Sequence, residues 1–176
     1  MALTKVLTGG LALDAVDNTI LKLDDDYALT GTISGVGKVL QAITGLDNTQ
    51  TTTASTTYAS TGLSVAITPS ATNSRILILA QTSIYVSGAY LVVASIQRAI
   101  AGGATTNLAS TANSGFVQQN AASSSGGTSP LLILDSPSTT AACTYTILFR
   151  NNSTSNTSYS SINAATDTMT CIEIGA

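Results

Sequence analysis

The chain has 176 residues, of which 44% are hydrophobic and only 9% charged, against a usual charged share of about 25%. It contains no histidine, which excludes a Ser-His-Asp triad, a Cys-His pair and an imidazole metal site. Six Lys and Arg against nine Asp and Glu give a net charge of −3 and a pI near 4.4, the wrong sign for a nucleic-acid footprint.

Charge divides the sequence in two. Residues 1–50 hold Lys5, Lys22 and Lys38 with Asp14, Asp17, Asp24, Asp25, Asp26 and Asp47. The whole net charge therefore sits there, while the charges of residues 51–176 cancel. The first fifty residues carry only short apolar clusters: Leu3, Val6 and Leu7, then Leu11 and Leu13, then Ile20, Leu21 and Leu23. None is long enough to bury a core of its own, so residues 1–50 read as an extended arm that a partner orders. Within it Lys38 to Ile43 is the one short stretch where a helix is conceivable. The polar tract 51–57 is a linker without periodicity, and residues 58–176 form the folded domain.

From Leu63 the pattern becomes β. Leu63–Ile67 alternates and stops at Pro69, which lacks a ladder donor. Arg75–Val86 is a long strand, and Ser87-Gly88 breaks it. Tyr90–Ile100 follows, with Val92, Ala94 and Ile96 on one parity and Gly102-Gly103 at its end. A short segment sits at Phe116–Gln118. Leu131–Leu134, between Pro130 and Pro137, reads as a dense, buried-looking strand. Cys143–Arg150, Tyr159–Asn163 and Thr168–Ile174 alternate again. About seven or eight strands joined by Gly, Ser, Thr and Pro turns indicate an all-β, jelly-roll-like antiparallel sandwich behind the N-terminal arm. Serine and threonine, about 29% of the residues, keep a β surface wet with few charges, and Thr suits a strand.

Candidate chemistry is sparse. The Asp24-Asp25-Asp26 run could offer oxygens to a hard cation, but it lacks a spaced calcium loop and reads as a solvated turn. Asp135 and Glu173 could be imagined as an acid/base pair. Asp135 precedes Ser136-Pro137, where a turn-initiating Asp is expected, and Glu173 falls at outward parity. Asn152-Ser153-Thr154 and Asn156-Thr157-Ser158 match a glycosylation pattern that so Ser/Thr-rich a chain meets by chance. Cys143 and Cys171 are expected reduced and buried, and Arg75, Arg98 and Arg150 are expected to bridge strands or subunits. With no Trp, Tyr58, Tyr85, Tyr90 and Tyr159 are weak candidates for stacking on a sugar. No enzyme, cofactor or metal reading survives.

Targeting signals are also missing. Apolar runs such as Ile76–Ala80 are far below the roughly 20 residues of a spanning helix, so no membrane insertion is expected. Met1–Asn18 lacks the apolar core of a secretory signal, which points to a protein made in a cytoplasm and exported by no standard route.

Several stretches resemble tailed-bacteriophage virion proteins of the tail-fibre or decoration type, as in marine or cyanobacterial phages. They are Met1–Val6, Thr61–Pro69 running on to Arg75–Ala80, Leu134–Pro137 with Tyr145–Ile147 and Arg150, and the terminal Thr170–Ala176. The resemblance implies a virion structural protein made in the host cytoplasm. It implies a trimeric, receptor-facing fibre module joined to other virion proteins by its arm, through Leu3, Val6, Leu7, Leu11, Leu13, Ile20, Leu21 and Leu23. Outward contacts to a host glycan or protein would come from loops after Ile100, Val117 and Arg150, with Tyr90, Asn107, Asn113, Asn152 and Tyr159 as candidates. The alternative is a capsid decoration protein held by arm contacts, and a more distant one is a lectin-like sugar-binding domain.

Overall fold

A computed structural model describes residues 37–88, 91–109, 115–120 and 123–175, within a compact unit running from Gly35 to Ala176. Among the described residues eleven strands are formed: β1 Val39–Asp47, β2 Thr51–Thr53, β3 Ala59–Ile67, β4 Arg75–Val86, β5 Leu91–Ile100, β6 Thr105–Asn107, β7 Val117–Asn120, β8 Ser125–Asp135, β9 Cys143–Asn151, β10 Ser158–Ser160 and β11 Asp167–Ile174. They make two antiparallel sheets. The six-stranded sheet has the order β1-β11-β4-β10-β2, with β8 on the other side of β4; the five-stranded sheet runs β3-β9-β5-β6, with β7 also on β5.

Three pairs of short strands extend one another. If β1 with β2, β6 with β7, and β10 with β11 are each counted as one strand position, the sheets read first-eighth-third-sixth and second-seventh-fourth-fifth. That is the double Greek-key order of a jelly roll. The all-β sandwich expected from alternation is thus the fold.

The core lies between the sheets. Ile76, Ile78, Ile84 and Val86 of β4, Leu131 of β8 and Met169 and Cys171 of β11 face Val65 and Ile67 of β3, Val92, Ala94 and Ile96 of β5, and Tyr145, Ile147 and Phe149 of β9. All are nearly or fully buried. Period-two patterning over facing sheets produces this layer directly.

The sandwich starts earlier than the charge step suggested. Val39–Asp47 pairs with β11 along nearly its whole length, and Thr51–Thr53 pairs with β10. Residues assigned to the arm and the linker are therefore strands, and Lys38–Ile43 forms no helix. The physical reason is topological. Without β1, one flank of β11 would lack a ladder partner, and a jelly roll would lack its first strand. Tyr159–Asn163 is also shorter as a strand than alternation suggested: the chain leaves β10 at Ser160 and makes a one-turn 3-10 segment at Ile162–Ala164.

Candidate interaction surface

Both carboxylates considered as an acid/base pair flank Ile76 on the inner face, Asp135 from β8 and Glu173 from β11. Glu173 is buried rather than outward. The outward assignment failed because parity alone does not show which face of a last strand the opposite sheet covers. Its carboxylate accepts Ser70 N–H at 2.7 Å, the Ser70 hydroxyl, and Gln41 Nε2 at 2.6 Å. Burial acts to raise its pKa, but the donors from Ser70, Gln41 and Ser74 outweigh burial and hold it at about 2. Asp135 ends a strand instead of opening a turn. It accepts both contacts from Arg98 Nη1 at 2.8 Å and the Tyr145 hydroxyl at 2.7 Å. Arg98 thereby bridges the two sheets. Burial first, and then the Asp135 carboxylate, push the Tyr145 phenol well above its ordinary value.

A third buried carboxylate, Asp167, accepts Thr82 Oγ1 at 2.7 Å, Ser83 N–H at 2.8 Å and Ser161 Oγ at 3.0 Å. Each of these acids is engaged by donors of the chain itself, as buried charge requires. Cys143 and Cys171 are free and buried. Burial raises both thiols, Cys171 to about 12. Arg150 lies 5.4 Å from the centre of the Tyr58 ring, a cation–π arrangement.

The proposed outward loops do not gather. β5 and β9 are antiparallel, with Ile100 opposite Cys143 and Val92 opposite Asn151. The turn after Ile100 and the loop after Arg150 therefore lie at opposite ends of the sandwich, and the chain after Val117 continues as β7. Asn107 faces inward to its own loop, where its side chain accepts the Ser95 hydroxyl and Ala109 N–H. Asn152 is exposed, with its N–H on Leu91 O at 2.9 Å. Tyr159 lies on β10 rather than in a loop, its ring 5.6 Å from that of Tyr85 and tilted by 59°. Tyr90, Asn113, the Asp24–Asp26 run and the apolar set from Leu3 to Leu23 lie outside the described residues.

The surface that sequence reasoning missed is the outer face of the six-stranded sheet. Register places Ala42, Ile172, Leu77 and Leu134 in one row across β1, β11, β4 and β8. The next row is Thr44, Thr170, Leu79 and Leu132, and the one after is Leu46, Thr168, Gln81 and Pro130. Leu132 is 64% exposed, Leu46 66% and Leu134 44%. The Leu131–Leu134 run is thus buried on one face only, because nothing described lies over its other face. Arg75, at the start of β4, and Lys38, before β1, are charged and exposed at the edge of these rows. A shallow hollow of about 330 Å³ between Leu79, Leu132, Pro130 and Thr170 marks the middle of the face. The face is uncharged across these rows, with Thr44, Thr170, Thr168 and Gln81 between the apolar residues, and exposed apolar surface is a candidate for contact.

No family model matches the chain, and no curated protein matches it. Solved structures of virus particles are similar at a low level. A chain in the structure of the infectious bursal disease virus Gx strain has TM-score 0.41 and 15% identity, over 80% of this chain and 37% of that one. A mutant VP2 protein of the same virus, in T=1 particles, has TM-score 0.38 and 11% identity over 77% and 36%. The T13 particle of that virus gives TM-score 0.38 and 12% identity over 88% and 41%. The present chain spans about two-fifths of the length of these virus chains.

Proposed function

We propose that this protein is a structural component of a virus particle that works by surface contact and carries no catalytic site. The observation that carries the reading is the uncharged apolar face spread over β1, β11, β4 and β8. It stands beside buried carboxylates that serve internal hydrogen bonds. A jelly roll by itself hosts many functions, so the virion assignment also leans on the sequence resemblance to tailed-phage virion proteins.

Within this proposal the chain is a trimeric fibre module attached through the residues that precede β1, including Leu3 to Leu23, with a host glycan or protein as its outer partner. A second reading, a capsid decoration protein, is favoured by one feature: a broad, flat apolar sheet face suits seating on a neighbouring shell better than exposure at a fibre tip. Quantitative mass spectrometry of purified particles tests the proposal. Many copies per particle are expected; its absence from particles assembled in cells that express it would refute the virion role.

A further inference from the structure

We propose that β1 is a latch strand: it opens from β11 as a unit, pivoting at residues 48–50, while the rest of the sandwich stays folded. The inference concerns how the fold opens and is independent of the partner the chain serves.

The side chains of the strand carry it first. Register makes Gln41, Ile43, Gly45 and Asp47 the inward positions of β1, because their partners Glu173, Cys171, Met169 and Asp167 are all buried. Of these four only Ile43 is a large apolar residue, and it remains 37% exposed. Gly45 has no side chain to bury, and a Cβ there would stand 2.7 Å from Val65 Cγ2 of β3. No residue of β1 is buried, whereas every other strand of eight or more residues buries at least three. The core cluster draws nothing from β1. Burial of apolar surface is the dominant favourable term in folding, so β1 adds ladder hydrogen bonds and little of that term.

The polar ties of the strand are few and lie near the surface. Gln41 Nε2 donates to Glu173 at 2.6 Å and to Thr68 O at 2.7 Å, and the Thr44 and Thr170 hydroxyls stand 2.9 Å apart. Hydrogen bonds that water can replace contribute little net stability. At the end of the strand Asp47 is directly opposite Asp167, and like charges paired across strands destabilise. The donors that hold Asp167, from Thr82, Ser83 and Ser161, all lie outside β1. Asp167 therefore loses none of them when β1 leaves.

The pivot follows from what lies beyond. Residues 48–50 are exposed and belong to no strand. The next strand, β2, is fixed to β10 by its ladder and by the hydroxyls of Thr51 and Ser160. Opening of β1 turns β11 into an edge strand, and an unpaired edge is a template for another strand. Through this latch β1 controls access to that edge.

Hydrogen–deuterium exchange of the full chain without denaturant, read by mass spectrometry, tests this. The slowest amides of residues 39–47 are expected to exchange at least about a hundredfold faster than the slowest of β4 and β9. A disulfide between T44C and T170C, at partner positions of the ladder, is expected to slow them toward the β4 rate, and reduction to reverse this. Should that cross-link not form, Q41A is expected to speed exchange in β1 about fivefold to tenfold and to leave β4 unchanged. Amides of β1 as slow as those of β4 overturn the inference. So does a closed cross-link that leaves β1 fast, or Q41A speeding β1 and β4 alike, because the sandwich would then open in one step.

Discussion

Replacing Glu173 with Gln keeps the volume of a fully buried side chain while removing its charge. In the folded protein, donors from Ser70, Gln41 and Ser74 outweigh the effect of burial and hold the carboxyl at about 2, against an ordinary 4.5. A carboxyl with a depressed folded pKa stabilises the protein above its unfolded pKa, and that stability is lost as pH falls through the folded value. The window thus runs from about pH 4.5 down to about pH 2, and its depth is at most about 3 kcal/mol. Gln places an NH₂ group where one carboxylate oxygen accepts, so a donor is left unsatisfied. At pH 7 the variant is expected to be less stable by about 3 kcal/mol, and the difference should shrink steadily between about pH 5 and pH 2. Urea midpoints of both proteins across that range measure it, and subtracting one from the other removes the contributions of all other acids. A difference that stays constant down to pH 2 would refute the assignment of this carboxylate as the pH-sensitive tie.

Two further outcomes follow from local geometry. Gly126 of β8 lies opposite Tyr85, and a Cβ there would stand 2.8 Å from both Ile84 O and Tyr85 Cβ. Gly126→Ala is therefore expected to lower stability by about 1–3 kcal/mol, whereas a gain in the urea midpoint would show that the strand yields freely. Cys143 and Cys171 are buried and free, with the Cys171 thiol raised to about 12. Neither should react with a thiol reagent in the native protein at pH 8, both should react in urea, and reductant should leave the melting temperature unchanged. Fast native labelling would contradict this packing.

The long strand β4 was legible to the residue, because Ile76, Ile78, Ala80, Ile84 and Val86 share one parity between the polar turn before Arg75 and the Ser87-Gly88 break. β1 was not. Its sequence mixes Gln41, Thr44, Gly45 and Asp47 with apolar residues, and both its faces are partly open, so hydropathy shows no clean period. Only the ladder to β11 reveals it. The start of β8 was hidden in the same way. Gly126-Gly127 reads as a turn, and Pro130 as a boundary, yet β4 pairs with the segment throughout; Pro is tolerated there because β8 is an edge strand. The outer leucines of β4 and β8 were not picked out from the sequence, because their exposure depends on register. Leu77 and Leu134 are 57 positions apart in the chain, and only antiparallel pairing makes them neighbours. The engaged state of Glu173 was likewise beyond sequence reading, since its partners Ser70 and Gln41 come from a loop and from the strand that hydropathy missed.

The central claim, that this jelly roll is an assembly module acting through the outer face of its six-stranded sheet, is tested most directly by a density map of the particle-bound protein. The account predicts Leu46, Leu132 and Leu134 covered by a neighbouring protein of the particle. A map showing that face open to solvent, with the particle contacts made elsewhere on the sandwich, would contradict it.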